Sequence, residues 1–153
     1  MKNLCRSFHY AFRGIWYQLA CERNFRIHCF VAVTVLLLTR FYSFTPVEWG
    51  LLILQITLVM GAESLNTAIE QTDNALTRSE NRRIRHAKDS AAAGVLIFAA
   101  GSLAMAWLLF WDPAVFREIA AYFSKWYRAA ALAAYFALMA FLIFCPKTYK
   151  KDS

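Results

Sequence analysis

Residues 47–70 read "VEWGLLILQITLVMGAESLNTAIE", an apolar run over 47–60 that passes into a segment carrying Glu63, Asn66 and Glu70. A membrane-spanning helix needs about 20 mostly apolar residues, and this stretch supplies them up to Ile69. Glu63, Asn66 and Glu70 are spaced i, i+3 and i+7, so at 3.6 residues per turn they project from one side of a helix, joined by Thr67 and Asn74. An ionised carboxylate at bilayer depth costs at least ~2.5 kcal/mol, and such acids face a bundle interior or a wet cavity. The stretch therefore predicts a spanning helix with a graded polar face. Glu63 lies six residues from the span end, roughly 9 Å deep at 1.5 Å per residue, and Glu70 lies at the water boundary.

The rest of the chain supplies the bundle. It has 153 residues, 59% hydrophobic and 16% aromatic, with positive mean hydropathy, which is one small unit too apolar for an ordinary soluble domain. Four stretches approach spanning length: 27–44, 47–69, 91–111 and 129–145. No apolar core with a small-residue cleavage site precedes the first, so no signal peptide is expected. Ahead of it, Leu4, Phe8, Phe12, Ile15, Trp16 and Leu19 recur at helical spacing opposite Lys2, Arg6, His9 and Arg13, the pattern of a helix lying in the membrane interface.

The charges sort by loop. Lys2, Arg6, Arg13, Arg23 and Arg26 precede span one; Arg78, Arg82, Arg83, Arg85 and Lys88 lie between spans two and three; Lys147, Lys150 and Lys151 follow span four. Only Arg40, Arg117, Lys125 and Arg128 fall on the other side. By the positive-inside rule both termini and the middle loop are cytoplasmic. The net charge of +7 then reads as topology and attraction to anionic lipid, with no nucleic-acid partner. Trp49, Trp107, Trp111, Trp126 and Tyr127 fall near the outer boundary, where aromatic belts form. Cys5, Cys21, Cys29 and Cys145 have no CxxC spacing, so neither a zinc site nor a disulfide framework is expected.

Thr77 and Glu80 form a possible capping box that would begin the third helix well before the membrane, leaving Arg82, Arg83, Arg85, His86 and Lys88 on a cytoplasmic extension. Pro46, Pro113 and Pro146 punctuate the turn between spans one and two, the exit of span three and the end of span four. Carboxylates one or two helical turns apart suit a divalent cation together with a general base, and Lys88 and Asp89 on the neighbouring helix add a phosphate-directed cation and an acceptor. No GxxxxGK[ST] motif or Gly-rich kinase loop is present, so any nucleotide site must be built from helices.

Four blocks, "ESLNTAIE" (63–70), "HAKDSAAAGVLI" (86–97), "ERNFRIH" (22–28) and "SFHYAFRGI" (7–15), resemble the prokaryotic diacylglycerol kinase and undecaprenol kinase family over residues 1 to about 111. The resemblance implies an all-α integral membrane protein with an interfacial amphipathic helix plus a three-helix core over 1–111; the apolar run at 129–145 adds an extra fourth transmembrane helix with a basic tail, a second region over 112–153. It implies an ATP-dependent lipid kinase that works as a homotrimer with shared sites and uses Mg²⁺. By that resemblance Glu63 is the general base, Asn66 orients groups around it, and Glu22 and Glu70 hold the metal on the ATP phosphates. Lys88, Asp89 and Tyr10 contact the nucleotide. The wording of "ERNFRIH" and "NTAIE" favours undecaprenol over diacylglycerol as acceptor.

Two departures from the family stand out. Many members carry an acid four residues after the second Glu of ExxNTAIE, where this chain has Asn74; the adjacent Asp73 points about 100° away unless the helix ends there. The fourth span has no counterpart, and reads either as a packing or lipid-facing addition or as a partner or trimer-rim element. His9, His28 and His86 are assigned no catalytic role, while Arg23 and Arg26 read as a solvated flank or as contacts to phosphate or lipid headgroups. Two other classes stand beside the kinase: a four-span exporter with a glutamate proton switch, and a small membrane adaptor.

Overall fold

Thr45, Pro46 and Glu48 begin the central helix with a reciprocal cap. The Thr45 N–H donates to Glu48 Oε2 at 2.7 Å, the Glu48 N–H donates back to Thr45 Oγ1 at 3.3 Å, and Pro46 occupies the first helical position, where no N–H is needed. From that start α3 (Pro46–Leu76) runs 31 residues, about 46 Å at 1.5 Å per residue, against a hydrocarbon core of ~30 Å. It extends well past the predicted end at 69, because Ala68, Glu70, Gln71 and Ala75 are good helix formers with nothing to break the ladder.

The computed structural model describes residues 2–76 and 82–145, and the described residues are all helical or in short connections. In addition to α3 they form α1 (Lys2–Cys21), α2 (Arg23–Leu38, continued by a 3₁₀ turn over Thr39–Phe41), α4 (Arg82–Phe110), α5 (Pro113–Phe123) and α6 (Trp126–Phe144). Four segments are long and apolar enough to cross a bilayer: Arg23–Phe41, Pro46–Ala75, Arg82–Phe110 and Trp126–Phe144. The protein is an all-α, multi-pass membrane bundle with an N-terminal helix and a fourth spanning helix, as its sequence predicts. The first span starts and stops earlier than 27–44, since Tyr42 leaves the helix and Pro46 biases the residue before it away from helical geometry.

The chief helix pair is α3 with α4, linked at mid-depth by Ser102 Oγ donating to Gln55 Oε1 at 3.1 Å. At one end Tyr42, Phe44, Trp49 and Phe110 form an aromatic cluster, and the Tyr42 hydroxyl donates to the Phe110 carbonyl at 2.8 Å. Trp107 and Trp111 stack at 4.0 Å between ring centroids at the same end. There α5, a helix the sequence analysis did not foresee, starts on Asp112, whose side chain accepts from the Ala114 and Val115 N–H groups with Pro113 behind it. The Asp-Pro pair was readable as a helix start, but 11 residues fall below spanning length.

Along α1 every residue from Leu4 to Trp16 is exposed, so the apolar stripe of Leu4, Phe8, Phe12 and Ile15 is not covered by the rest of the chain. α4 begins by Arg82, nine residues before the apolar stretch, so Arg82, Arg83, Arg85, His86 and Lys88 do occupy a polar extension of that helix. Thr77 and Glu80 of the expected capping box, Arg78, and the tail with Pro146, Lys147, Lys150 and Lys151 lie outside the described residues.

α6 docks on α2. Thr34 Oγ1 and the Tyr135 hydroxyl are 2.9 Å apart, and Phe30 packs against the rings of Tyr135 and Phe136. A Thr34→Val, Tyr135→Phe double-mutant cycle, read by unfolding in detergent micelles, is expected to give a coupling of about 0.6 kcal/mol, the average for interhelical hydrogen bonds in membranes.

Candidate functional site

The polar end of α3 is the most enclosed part of the molecule. Glu63 is 3% exposed, Thr67 5% and Asn66 6%, and Glu63 is less exposed than any of the buried apolar residues. The inward orientation follows from the cost of presenting a carboxylate to lipid.

On one side it meets the junction of α1 and α2. Glu22 sits in a one-residue break between them with extended backbone, φ −97° and ψ 114°. Its N–H donates to the Gln18 carbonyl at 2.9 Å, and its own carbonyl accepts from the Arg26 N–H at 3.3 Å. A residue at this position commonly uses its side chain to cap the following helix. The Glu22 carboxylate does not, and turns to α3 instead, accepting from Gln71 Nε2 at 3.3 Å. One turn earlier, Ser64 Oγ donates to Gln18 Oε1 at 2.9 Å. Gln18, Ser64 and Gln71 are contacts that the sequence analysis missed; Ser64 and Gln71 adjoin the acids Glu63 and Glu70, and Gln18 lies one helical turn before Glu22.

Asn66 Nδ2 donates to Glu70 Oε1 at 3.2 Å, an i, i+4 pair that fixes both groups on the same face. The opposite atom of the amide, Asn66 Oδ1, is buried and has no hydrogen-bond partner among the described residues. Glu63 feels the negative charge of both Glu70 and Glu22, so the three carboxylates share one electrostatic neighbourhood.

α4 contributes the cation. Lys88 Nζ lies 2.9 Å from Asp73 Oδ2, with the Lys88 side chain 37% exposed and that of Asp73 19%. Glu70 and Asp89 add to the negative field at Lys88. α3 continues to Leu76, so the helix does not end at Asp73; that residue uses the turned face to hold Lys88, while Asn74 is exposed. Asp89 is exposed on α4. Tyr10 stands apart at 54% exposed, its ring 5.8 Å from the Arg13 guanidinium. The fold thus brings together Glu22, Glu63, Asn66, Glu70 and Lys88, and leaves Tyr10 away from them.

Among the described residues no three Asp, Glu, His or Cys side chains close around one point. The donors are nonetheless hard oxygens: the carboxylates of Glu22 and Glu70, and the unpartnered Asn66 Oδ1. That set suits Mg²⁺, which is usually held by one or two carboxylates plus substrate phosphates and not by an all-protein cage.

Two like charges near a buried carboxylate make the native arrangement costly, as active sites often are. Replacing Glu63 by Gln relieves the repulsion while keeping shape. The Glu63→Gln protein is therefore expected to insert and fold, with an unfolding midpoint in detergent equal to or above that of the parent; a marked fall would mean that the charge itself holds the bundle together.

Comparison with known proteins gives these residues a context. A family model described as prokaryotic diacylglycerol kinase matches residues 9–110. The undecaprenol kinase of Bacillus subtilis is 37% identical over 110 residues, covering 72% of this chain and 89% of that protein. A diacylglycerol kinase of a Synechocystis species is 37% identical over 112 residues, 72% of this chain and 64% of its own length. A diacylglycerol kinase of Haemophilus influenzae is 32% identical over 97 residues, 63% of this chain and 82% of its own. No solved structure matches the chain. The matched region contains all seven candidate site residues and stops at the end of α4, leaving α5 and α6 beyond it.

Proposed function

The chain belongs to the prokaryotic diacylglycerol kinase family, and from that premise we propose that it transfers the γ-phosphoryl group of ATP to the hydroxyl of a membrane lipid alcohol, undecaprenol in preference to diacylglycerol. The observation that carries this reading is a buried carboxylate, Glu63, one to two helical turns inside a polar cluster that has a lysine at its rim. An acceptor from the bilayer and a nucleotide from water can meet only at such a boundary.

In this reading the lipid oxygen attacks the γ-phosphorus, an O–P bond forms as the bond to the β-phosphate oxygen breaks, and ADP leaves. Glu63 takes the hydroxyl proton. A carboxylate enclosed away from bulk water and fixed beside the incoming hydroxyl is suited to that task. Asn66 holds Glu70 in position and offers its free Oδ1 to the same centre. Glu22 and Glu70 would hold Mg²⁺ together with the ATP phosphates, and the metal when bound supplies charge neutralisation for the transferring group. Lys88, kept in place by Asp73, presents a positioned cation to phosphate. Positioning and charge neutralisation are what phosphoryl transfer chiefly requires.

Asp89 and Tyr10 complete the nucleotide contacts. Tyr10 stands away from its own chain's cluster, which suits a homotrimer in which one subunit contributes to a neighbour's site. Residues 1–111 form the kinase core and 112–153 an addition to it. Both termini are cytoplasmic in the bacterial inner membrane, the arrangement that places the acids on the side where ATP is found, with anionic lipids around the basic loops. Both an undecaprenol kinase and a diacylglycerol kinase are 37% identical to the chain, so overall identity does not choose the acceptor. The exporter and adaptor readings have no observation in their favour.

Purified protein given ATP and Mg²⁺ with undecaprenol and diacylglycerol in parallel is expected to phosphorylate undecaprenol faster. Turnover of neither would refute the proposal, and faster turnover of diacylglycerol would reverse the acceptor assignment. Glu63→Gln is expected to lower turnover by about 10²-fold or more, the lower range for loss of a general base. Cys5, exposed on α1, is expected to react with a membrane-impermeant thiol reagent in inverted vesicles but not in right-side-out ones; the opposite result would invert the topology.

A further inference from the structure

The acidic cluster is not the only concave place at this end of the bundle. Between α1, α2 and α6 lies a cavity of about 360 Å³, walled by Leu19 and Ala20 of α1, Phe30 and Val33 of α2, and Met139 and Leu142 of α6. That volume falls within the range of small-molecule sites. Glu63, Asn66 and Glu70 do not line it, and one of its walls is the helix that lies beyond the family match. It is therefore distinct from the phosphotransfer cluster.

One charged side chain lines this apolar trough, Arg26. Its Nη1 reaches the Cys145 carbonyl only at 3.5 Å, the limit of a hydrogen bond, and its Nε is buried without a partner among the described residues. A buried guanidinium N–H without an acceptor is unfavourable, and planar guanidinium groups are matched by phosphate oxygens. Arg26 also lies in the first turn of α2, where the helix dipole favours an anion. We propose that this pocket binds one anionic phospholipid, its phosphate on Arg26 and an acyl chain in the trough between α2 and α6.

The dimensions agree with that occupant. Arg26 to Val33 spans about 10 Å of helix rise, and one leaflet of hydrocarbon is about 15 Å thick, so the trough takes the headgroup-proximal part of a chain. α2 leaves the end carrying Glu22 toward the bilayer middle and α6 returns to that end beside Arg26, so the trough between them is directed as a lipid tail is. A zwitterionic lipid already carries a cation beside its phosphate, so an arginine gains less from it. A lipid held here would also bridge α6 to the α1–α2 junction that positions Glu22, giving the added span a part in the site's surroundings.

Delipidated full-length protein in a neutral detergent tests this, with the unfolding midpoint followed as lipid is added. Phosphatidylglycerol is expected to raise the midpoint saturably, while phosphatidylcholine with the same chains, and inorganic phosphate alone, leave it unchanged. Arg26→Gln is expected to weaken the apparent affinity for phosphatidylglycerol about tenfold or more, the fold-change for losing a hydrogen bond to a charged group. Met139→Trp, which fills the trough and leaves the arginine, weakens it as well. Arg23→Gln, at an exposed neighbour of equal charge, does not. An equal shift with phosphatidylcholine, or a shift retained in Arg26→Gln, would overturn the proposal, the latter pointing to general attraction by the basic surface. A shift produced by inorganic phosphate alone would reassign the site to free phosphate. No shift with any lipid would leave the pocket without the proposed ligand.

Discussion

The structure depends on keeping one carboxylate away from lipid. Glu63 lies on a helix that begins as a long apolar run, and among the described residues the charges that act on it are the negative ones of Glu70 and Glu22. Such a group is tolerable only when other helices surround it with polar atoms. The α1–α2 junction and the end of α3 meet that condition, through Ser64 to Gln18 and Gln71 to Glu22. Elsewhere the bundle is thin and most large apolar side chains face outward, as a protein solvated by lipid can allow. Enclosure is concentrated at the polar end of α3.

That concentration explains the shape of the acidic cluster. The extended backbone at Glu22 breaks what would otherwise be one long helix, and frees its carboxylate from capping so that it can face α3. The excess length of α3 over the bilayer carries Glu70, Gln71 and Asp73 toward water, and α4 begins early enough for Lys88 to meet Asp73. Negative charge is thus graded from a buried acid to a neutralised ion pair along about three turns of one helix. In the proposed reaction a lipid alcohol and a nucleotide phosphate differ in where they prefer to be, and the gradient spans both preferences.

The fourth spanning helix enters through a different contact. It rests on α2 by the Thr34–Tyr135 hydroxyl pair and the rings around Phe30, and ends beside Arg26. α2 therefore carries α6 on one side and, through the residue that precedes it, a carboxylate of the acidic cluster on the other. Any ligand or mutation that shifts α6 acts on the helix next to Glu22, which is a physical route by which an added element can influence a shared core.

Much of this was legible without coordinates. Apolar runs of spanning length, their basic flanks, the helical spacing of Glu63, Asn66 and Glu70, and four motif blocks together defined an all-α membrane kinase fold, because hydrophobic length and periodicity are local properties of a chain. Helix ends were less legible: the caps at Thr45–Glu48 and Asp112 depend on a few side-chain bonds, and α5 is too short to announce itself by hydropathy. The pairings were not legible at all. That Asp73 holds Lys88, that Gln71 reaches Glu22, and that Arg26 has an N–H unpartnered among the described residues in a pocket completed by α6 are consequences of which helix faces meet. Sequence by itself determined which residues must turn inward, since a charge cannot face lipid; only the tertiary structure decided which partners they meet there, since that depends on contacts between residues 15 to 119 positions apart.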